Sequence, residues 1–173
     1  MQQSIGWKVI GVALLTAFWF QCAISQEVNS EEAEFALIVR DSLTQDTRLN
    51  LSAIAKLPRL RIRAADEKGV ESVWEGTPLY EVLKAAGAKF GEALRGPALA
   101  NYLLVEATDG YRVVFALPEL DPAFSDRVFL LADRRDGKPM NEKEGRLRIV
   151  VPDEKRHARW VRQVTAMSIR RPS

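Results

Sequence analysis

The chain has 173 residues, 47% of them apolar and 28% charged, with 25 basic against 23 acidic side chains and a formal net charge of +2. That length holds one ordinary domain with a real core, and the near balance of charge gives no reason to invoke nucleic acid as a partner. One cysteine and one histidine leave nothing from which to build a disulfide framework or a histidine-based metal cluster.

The N-terminus reads as an export signal. Lys8 precedes an apolar run from Val9 to Phe20, followed by Ala23, Ile24 and Ser25 as a small-residue cleavage site. The run is short for a bilayer span, which takes about 20 apolar residues, and has the length of a secretory core. Residues 1–25 are therefore expected to be a signal peptide, the mature chain to begin at Gln26, and the protein to be periplasmic. The alternative is an uncleaved anchor. Lipidation of Cys22 is disfavoured by bulky Trp19 and Phe20 and polar Gln21 before it. Cleavage removes Cys22 and leaves a thiol-free chain, which suits an oxidising compartment.

Residues 26–34 form a polar arm, with Glu27, Glu31, Glu32 and Glu34 making it acidic and loosely held. The folded domain is expected over 35–173. Phe35, Leu37 and Val39 alternate in a first strand. A short helical turn over 51–56 stops at Pro58. Leu60, Ile62 and Ala64 alternate with Arg59, Arg61 and Arg63, giving a half-buried strand with a basic outer face. Another short strand covers 70–74. Thr77 and Pro78 then open the clearest helix, Thr77 as cap and Pro78 at the first helical position. Leu79, Val82, Leu83 and Ala86 make its apolar stripe, and Gly87 ends it.

A loop with Gly91, Gly96 and Pro97 leads to strands over 102–107 and 111–117, joined across Thr108-Asp109-Gly110 as a hairpin. Strands follow over 128–132 and, after a turn at Asp136-Gly137, over 147–151, where Pro152 stops the run. A last strand covers 164–169. The sum is an α+β fold: mainly β, with mixed sheet, one clear helix and short helical turns. The final stretch is basic, with Arg146, Arg148, Lys155, Arg156, Arg159, Arg162, Arg170 and Arg171.

Several segments occur in a telling order: Trp74-Glu75-Gly76-Thr77-Pro78-Leu79 before the helix, Ala107-Thr108-Asp109-Gly110-Tyr111, and Asp136-Gly137-Lys138-Pro139-Met140. Gly145-Arg146-Leu147-Arg148-Ile149-Val150-Val151-Pro152 and Arg159-Trp160-Val161-Arg162 complete the set. This order resembles the molybdopterin-binding domain of the sulfite oxidase family over nearly the whole mature chain. The resemblance implies a mainly β mixed-sheet fold and a pterin pocket. It also implies a cysteine thiolate on molybdenum, supplied from the segment just before Trp74. Here that segment is Ile62-Arg63-Ala64-Ala65-Asp66-Glu67-Lys68-Gly69, without sulfur. A thiolate is a soft ligand that Ala or a carboxylate replaces poorly. The chain is similar instead to small, exported, stand-alone members of the fold that act as pterin-binding regulators beside membrane receptors in cyclic dinucleotide signalling. The expected ligand is a pterin, a reduced one rather than molybdopterin, with no molybdenum and no catalysis. The alternatives are a molybdopterin-dependent oxidoreductase and a ligand-free interaction module.

A pterin needs a stacking aromatic, acceptors for its ring N–H groups, donors for its carbonyl and cations for an anionic tail. Trp74 and Trp160 are the stacking candidates, with core packing as the alternative. Asp109 supplies a carboxylate for the ring edge, or simply the first residue of a type I′ turn. Tyr111 offers a hydroxyl at the rim or a cross-strand packing face. Arg148 faces a ring carbonyl or phosphate, or forms a surface ion pair. Lys155, Arg156 and Arg159, in the loop after Pro152, bind a phosphorylated tail or an acidic partner, or are a solvated charge run. His157 is expected to be a hydrogen-bond donor in that loop. The resemblance places the pocket between the Asp109–Tyr111 hairpin and this loop, with Trp74 at its edge.

Overall fold

The computed structural model describes residues 35–41 and 46–172; the expected signal peptide, Cys22 and the acidic arm lie outside them. Among the described residues, ten strands form two five-stranded sheets. The first sheet contains β1 (Phe35–Asp41), β2 (Thr47–Asn50), β5 (Tyr102–Ala107), β6 (Arg112–Ala116) and β10 (Val164–Arg170), in the order β2-β1-β10-β5-β6. The β1–β10 pair is parallel and its other pairs are antiparallel. The second contains β3 (Leu60–Ala65), β4 (Glu71–Pro78), β7 (Leu130–Arg135) and β8 (Lys138–Pro139) in that order, with β9 (Arg148–Val150) paired to β7. Helix α1 (Leu51–Ala55) precedes β3, and α2 (Leu79–Ala85) follows β4. The architecture is α+β with mixed sheet, as the sequence pattern implies.

Buried side chains of both sheets and of α2 make one apolar cluster. Leu103 and Val105 of β5, Met167 of β10, Leu130 and Leu131 of β7 and Ile149 of β9 are all fully buried, as are Leu79, Val82 and Leu83 of α2. The alternation in β6 is clean: Val113 and Phe115 point in and Arg112, Val114 and Ala116 point out. Such alternation is what a sheet with one solvated face imposes.

Two local expectations are corrected. Thr77 does not cap α2: it continues β4, its hydroxyl donates to the Ile54 carbonyl at 3.3 Å, and Pro78 occupies the cap position. A buried hydroxyl needs a partner, and the neighbouring helix end supplies one closer than its own helix does. The Asp109 turn is also not type I′. The Gly110 N–H donates to the Ala107 carbonyl and the Ala107 N–H to the Tyr111 carbonyl, with only Gly110 at positive φ (83°). That is a type I turn with a glycine bulge. The type I′ geometry occurs instead at Asp136 (φ 51°) and Gly137 (φ 75°), between β7 and β8.

Gly76 marks a bulge in the β4–β7 pairing, where the register shifts between Glu75 and Gly76. A β-carbon there would lie 2.6 Å from Ala132 Cα and collide with the Leu131 carbonyl. Both obstacles are backbone, so neither can swing aside. Gly76→Ala is expected to lower unfolding stability by about 3 kcal/mol, read from the midpoint of urea denaturation.

Candidate functional site

Four segments meet around two tryptophans. Trp74 lies in the middle of β4 and is fully buried; its indole N–H donates to the Ala64 carbonyl across the β3–β4 hairpin at 3.2 Å. Trp160 follows a short 3-10 turn, His157–Arg159, and its N–H donates to the Val151 carbonyl at 2.8 Å. The two indoles meet edge to face, 5.8 Å between centroids, a geometry that the ring quadrupoles favour. Trp160 is thus core rather than an open stacking surface: its apolar body is 4% exposed and its one polar group is satisfied.

Arg148 closes this cluster from β9. It is neither on the surface nor in a surface ion pair. Its side chain is 3% exposed and pairs with Glu144, with the guanidinium carbon 5.1 Å from the Trp74 ring and 5.5 Å from that of Trp160. Stacking on two indoles is a setting a guanidinium tolerates far better than an ammonium. Burial pulls its pKa down from the ordinary value, while Glu144 opposes that shift. The Arg148 Nε is buried with no hydrogen-bond partner among the described residues.

A second guanidinium extends the network. Arg135, at the end of β7, lies 4.7 Å over the Trp74 ring, donates to Asp66 and Ser72 at 2.8 Å, and sits 3.7 Å from Glu144. Asp66 belongs to the tight β3–β4 turn, where its other oxygen accepts from the Lys68 and Val70 N–H groups. Desolvation pushes the Asp66 carboxyl up. The bond from Arg135 and the two backbone donors outweigh it and hold the pKa down at about 2.

The loop after Pro152 is pinned to this cluster. His157 Nε2 lies 2.9 Å from the Ala65 carbonyl; a carbonyl only accepts, so Nε2 carries the proton, and His157 is a donor. Its ring packs on Trp160 at 4.4 Å. The Tyr111 hydroxyl reaches across from the hairpin and donates to the Ala158 carbonyl at 2.7 Å. Arg159 turns away from the tryptophans, pairs with Glu154 and Glu119, and lies 4.7 Å over Phe115. Burial lowers its pKa and the two carboxylates more than restore it, leaving it raised.

Trp74, Arg148, His157 and Trp160 are therefore brought together, and Tyr111 is tied to the same loop. Asp109 stands apart and exposed, with its carboxylate accepting from the Tyr111 N–H within its own turn. Lys155 and Arg156 are exposed, with no ion pair among the described residues. Sequence reasoning missed Asp66, Arg135 and Glu144. Glu144 stands four residues before Arg148, but the intervening loop gives that spacing no helical meaning. Beside the cluster lies an opening of about 310 Å³, lined by Arg135, Asp136, Lys138, Met140, Asn141 and Glu144.

Residues 25–173 match the oxidoreductase molybdopterin binding domain family. The chain belongs to that family. A solved structure with the same fold is the sulfane dehydrogenase SoxCD from Paracoccus pantotrophus, 18% identical with a TM-score of 0.61. The likeness covers 78% of this chain but only 38% of that one. No curated protein matches the chain in sequence.

The domain family binds a molybdopterin cofactor, and its two halves fare differently here. No cysteine occurs among the described residues, and no three His, Cys, Asp or Glu side chains there cluster as a metal set. The segment expected to supply the thiolate is strand β3 and a four-residue turn closed on Asp66. The molybdenum half does not fit this donor set. The pterin half does. The orphaned Arg148 N–H suits a ring carbonyl, Glu144 can accept from ring N–H groups, and Lys138 and Arg135 at the opening suit an anionic tail.

Two outcomes test the cluster. Arg148→Ala leaves Glu144 with only the more distant Arg135 as counter-ion and opens a void against two indoles. It is expected to cost about 3 kcal/mol of stability, whereas Arg148→Met combined with Glu144→Gln should recover most of it; urea denaturation of the three proteins reads the difference. Because the folded Asp66 pKa is depressed, its contribution is fully present above the ordinary value of 3.8 and is lost as pH falls toward 2. Asp66→Asn should therefore lower the melting temperature at pH 6 and leave a smaller further loss between pH 4 and pH 2 than in the parent.

Proposed function

We propose that this protein is an exported, non-catalytic pterin-binding protein that relays pterin occupancy to a membrane-bound signalling protein. The observation that carries the reading is the cluster around Arg148. It keeps a buried, unpartnered donor, a carboxylate and several cations beside an opening, in a fold family defined by a pterin cofactor. The thiolate that redox chemistry at molybdenum would need has no counterpart in the described residues. A pterin held without the metal has binding as its only output, and binding that reorders a surface loop can be read by a partner.

The loop with Lys155, Arg156 and His157 suits that role. It is anchored to the cluster through His157 and Tyr111 yet presents two unpaired cations outward. The expected reader is the periplasmic domain of a membrane receptor in cyclic dinucleotide signalling, with an acidic face toward these cations. The apolar run before Ala23, Ile24 and Ser25 supports export. A ligand-free interaction module is the second reading. It is favoured by one observation: Trp74, Trp160, Tyr111 and Arg159 are already engaged inside the protein.

Ligand extraction and metal analysis of protein purified from the periplasm separate these readings. A metal-free pterin supports the proposal, neither pterin nor metal supports the interaction module, and stoichiometric molybdenum with turnover overturns both. In calorimetry with a tetrahydropterin carrying a phosphorylated tail, Lys138→Ala should weaken binding about tenfold. The Lys138 side chain is exposed, so the fold should be untouched, as circular dichroism will check.

A further inference from the structure

The end of the first sheet remote from the Asp109 turn holds a second cavity. There β5 begins, β6 ends and β10 ends. The six residues of β5 separate it from the hairpin tip by about 20 Å. The cavity measures about 270 Å³. Buried Leu117 and Ile169 line it from the sheet, and Leu94, Ala88 and Ala98 line it from the loop that follows α2.

This loop is built to leave space. Gly87, Gly91 and Gly96 all have positive φ, at 94°, 63° and 57°, so the chain turns sharply three times at positions where other residues would be strained. Between these turns, two short 3-10 segments (Gly91–Ala93 and Gly96–Ala100) carry mainly alanine toward the cavity. Small side chains at three successive turns leave a hollow where leucines would have filled the core.

Three polar side chains stand at this apolar hollow: Lys89, Asn101 and Arg171. None of the three side chains has a hydrogen bond or ion pair among the described residues. Several arginines of the domain are paired: Arg59 holds Asp133, Arg61 holds Glu75, Arg112 holds Glu106, and Arg127 and Arg159 share Glu119 and Glu154. Lys89 and Arg171 carry no such pair, and what distinguishes them from the other solvated cations is the apolar cavity beside them. An apolar pocket with a few convergent polar groups is the usual form of a small-molecule site.

We propose that this cavity binds a small carboxylic acid with an apolar body, of the medium-chain fatty acid or arylalkanoate kind. The chain of the acid fills the space against Leu94, Leu117 and Ile169. Its carboxylate meets Lys89 and Arg171 in charge-assisted hydrogen bonds, with the Asn101 amide as a third donor. A strongly polar metabolite does not suit the site, because the hollow's floor offers no side-chain partners to replace its hydration. A peptide strand does not suit it either, because the volume lies just below the usual range for drug-sized ligands, about 300–1,000 Å³.

The test is a titration of the isotopically labelled protein with sodium octanoate, followed by backbone amide resonances. Saturable shifts are expected at Ala98, Asn101, Leu117 and Ile169. Lys89→Ala with Arg171→Ala should weaken octanoate about fivefold while leaving the affinity for octan-1-ol unchanged, because only the acid uses the cations. Both substituted residues are exposed, so folding is not at risk. Ala98→Leu, which fills the hollow, should weaken both ligands. Saturation at a different face, no saturation at millimolar octanoate, or equal octanoate binding by parent and charge-removed protein would each overturn the proposal. Since the cavity shares no lining residue with the opening beside Arg148, loss of pterin binding and loss of octanoate binding are separately readable.

Discussion

A guanidinium buried between two indoles is costly to desolvate, and the organisation of this domain around Arg148 answers that cost. Glu144 supplies the counter-charge, the faces of Trp74 and Trp160 supply polarisable surface, and Arg135 balances Glu144 from the other side. Each partner comes from a different part of the chain: β4, the end of β7, the loop before β9 and the loop after Pro152. Removing a carboxylate leaves a buried charge short of its partner, and removing an indole opens a void beside the guanidinium, so the four segments are energetically coupled. The tight turn at Asp66 and the His157 bond to Ala65 tie the outer shell to the same point.

This arrangement explains how the family fold persists without the sulfur that its redox chemistry uses. The strand and turn from which a thiolate would come are occupied by a hairpin that closes on itself through Asp66. Its structural role is met by carboxylate and backbone hydrogen bonds, none of which suits a soft metal. What remains beside the tryptophans is a set of donors and acceptors matched to an amide-like ring edge.

The two ends of the first sheet are built on different principles. At the hairpin end, Tyr111 is hydrogen-bonded to the loop after Pro152, which carries the paired Arg159 and the exposed Lys155 and Arg156. At the other end, three glycine-directed turns and a run of alanines leave a hollow with unpaired cations beside it. A β-sheet transmits little of one end's electrostatics to the other, because strand dipoles alternate and cancel. The two openings share no lining residue.

Sequence alone determined the strands whose alternation is imposed by a single buried face, such as Arg112–Ala116, and the apolar stripe of the helix after Pro78. It also determined the absence of cysteine from the described domain and the family order of segments. It did not reach the roles of individual polar residues. Thr77 looked like a helix cap, and Trp160 stood as a stacking candidate with core packing as the alternative. Both readings were local, and both were decided by partners far away: Ile54 for the hydroxyl, Trp74 and Val151 for the indole. Arg148 was legible as facing opposite to its neighbours in the strand. Only the tertiary structure decided that this opposite side is interior, because the loop carrying Glu144 and the loop carrying Trp160 fold over it. Alternation fixes which side of a sheet a residue faces; what covers that side is set by long-range packing that no local pattern records.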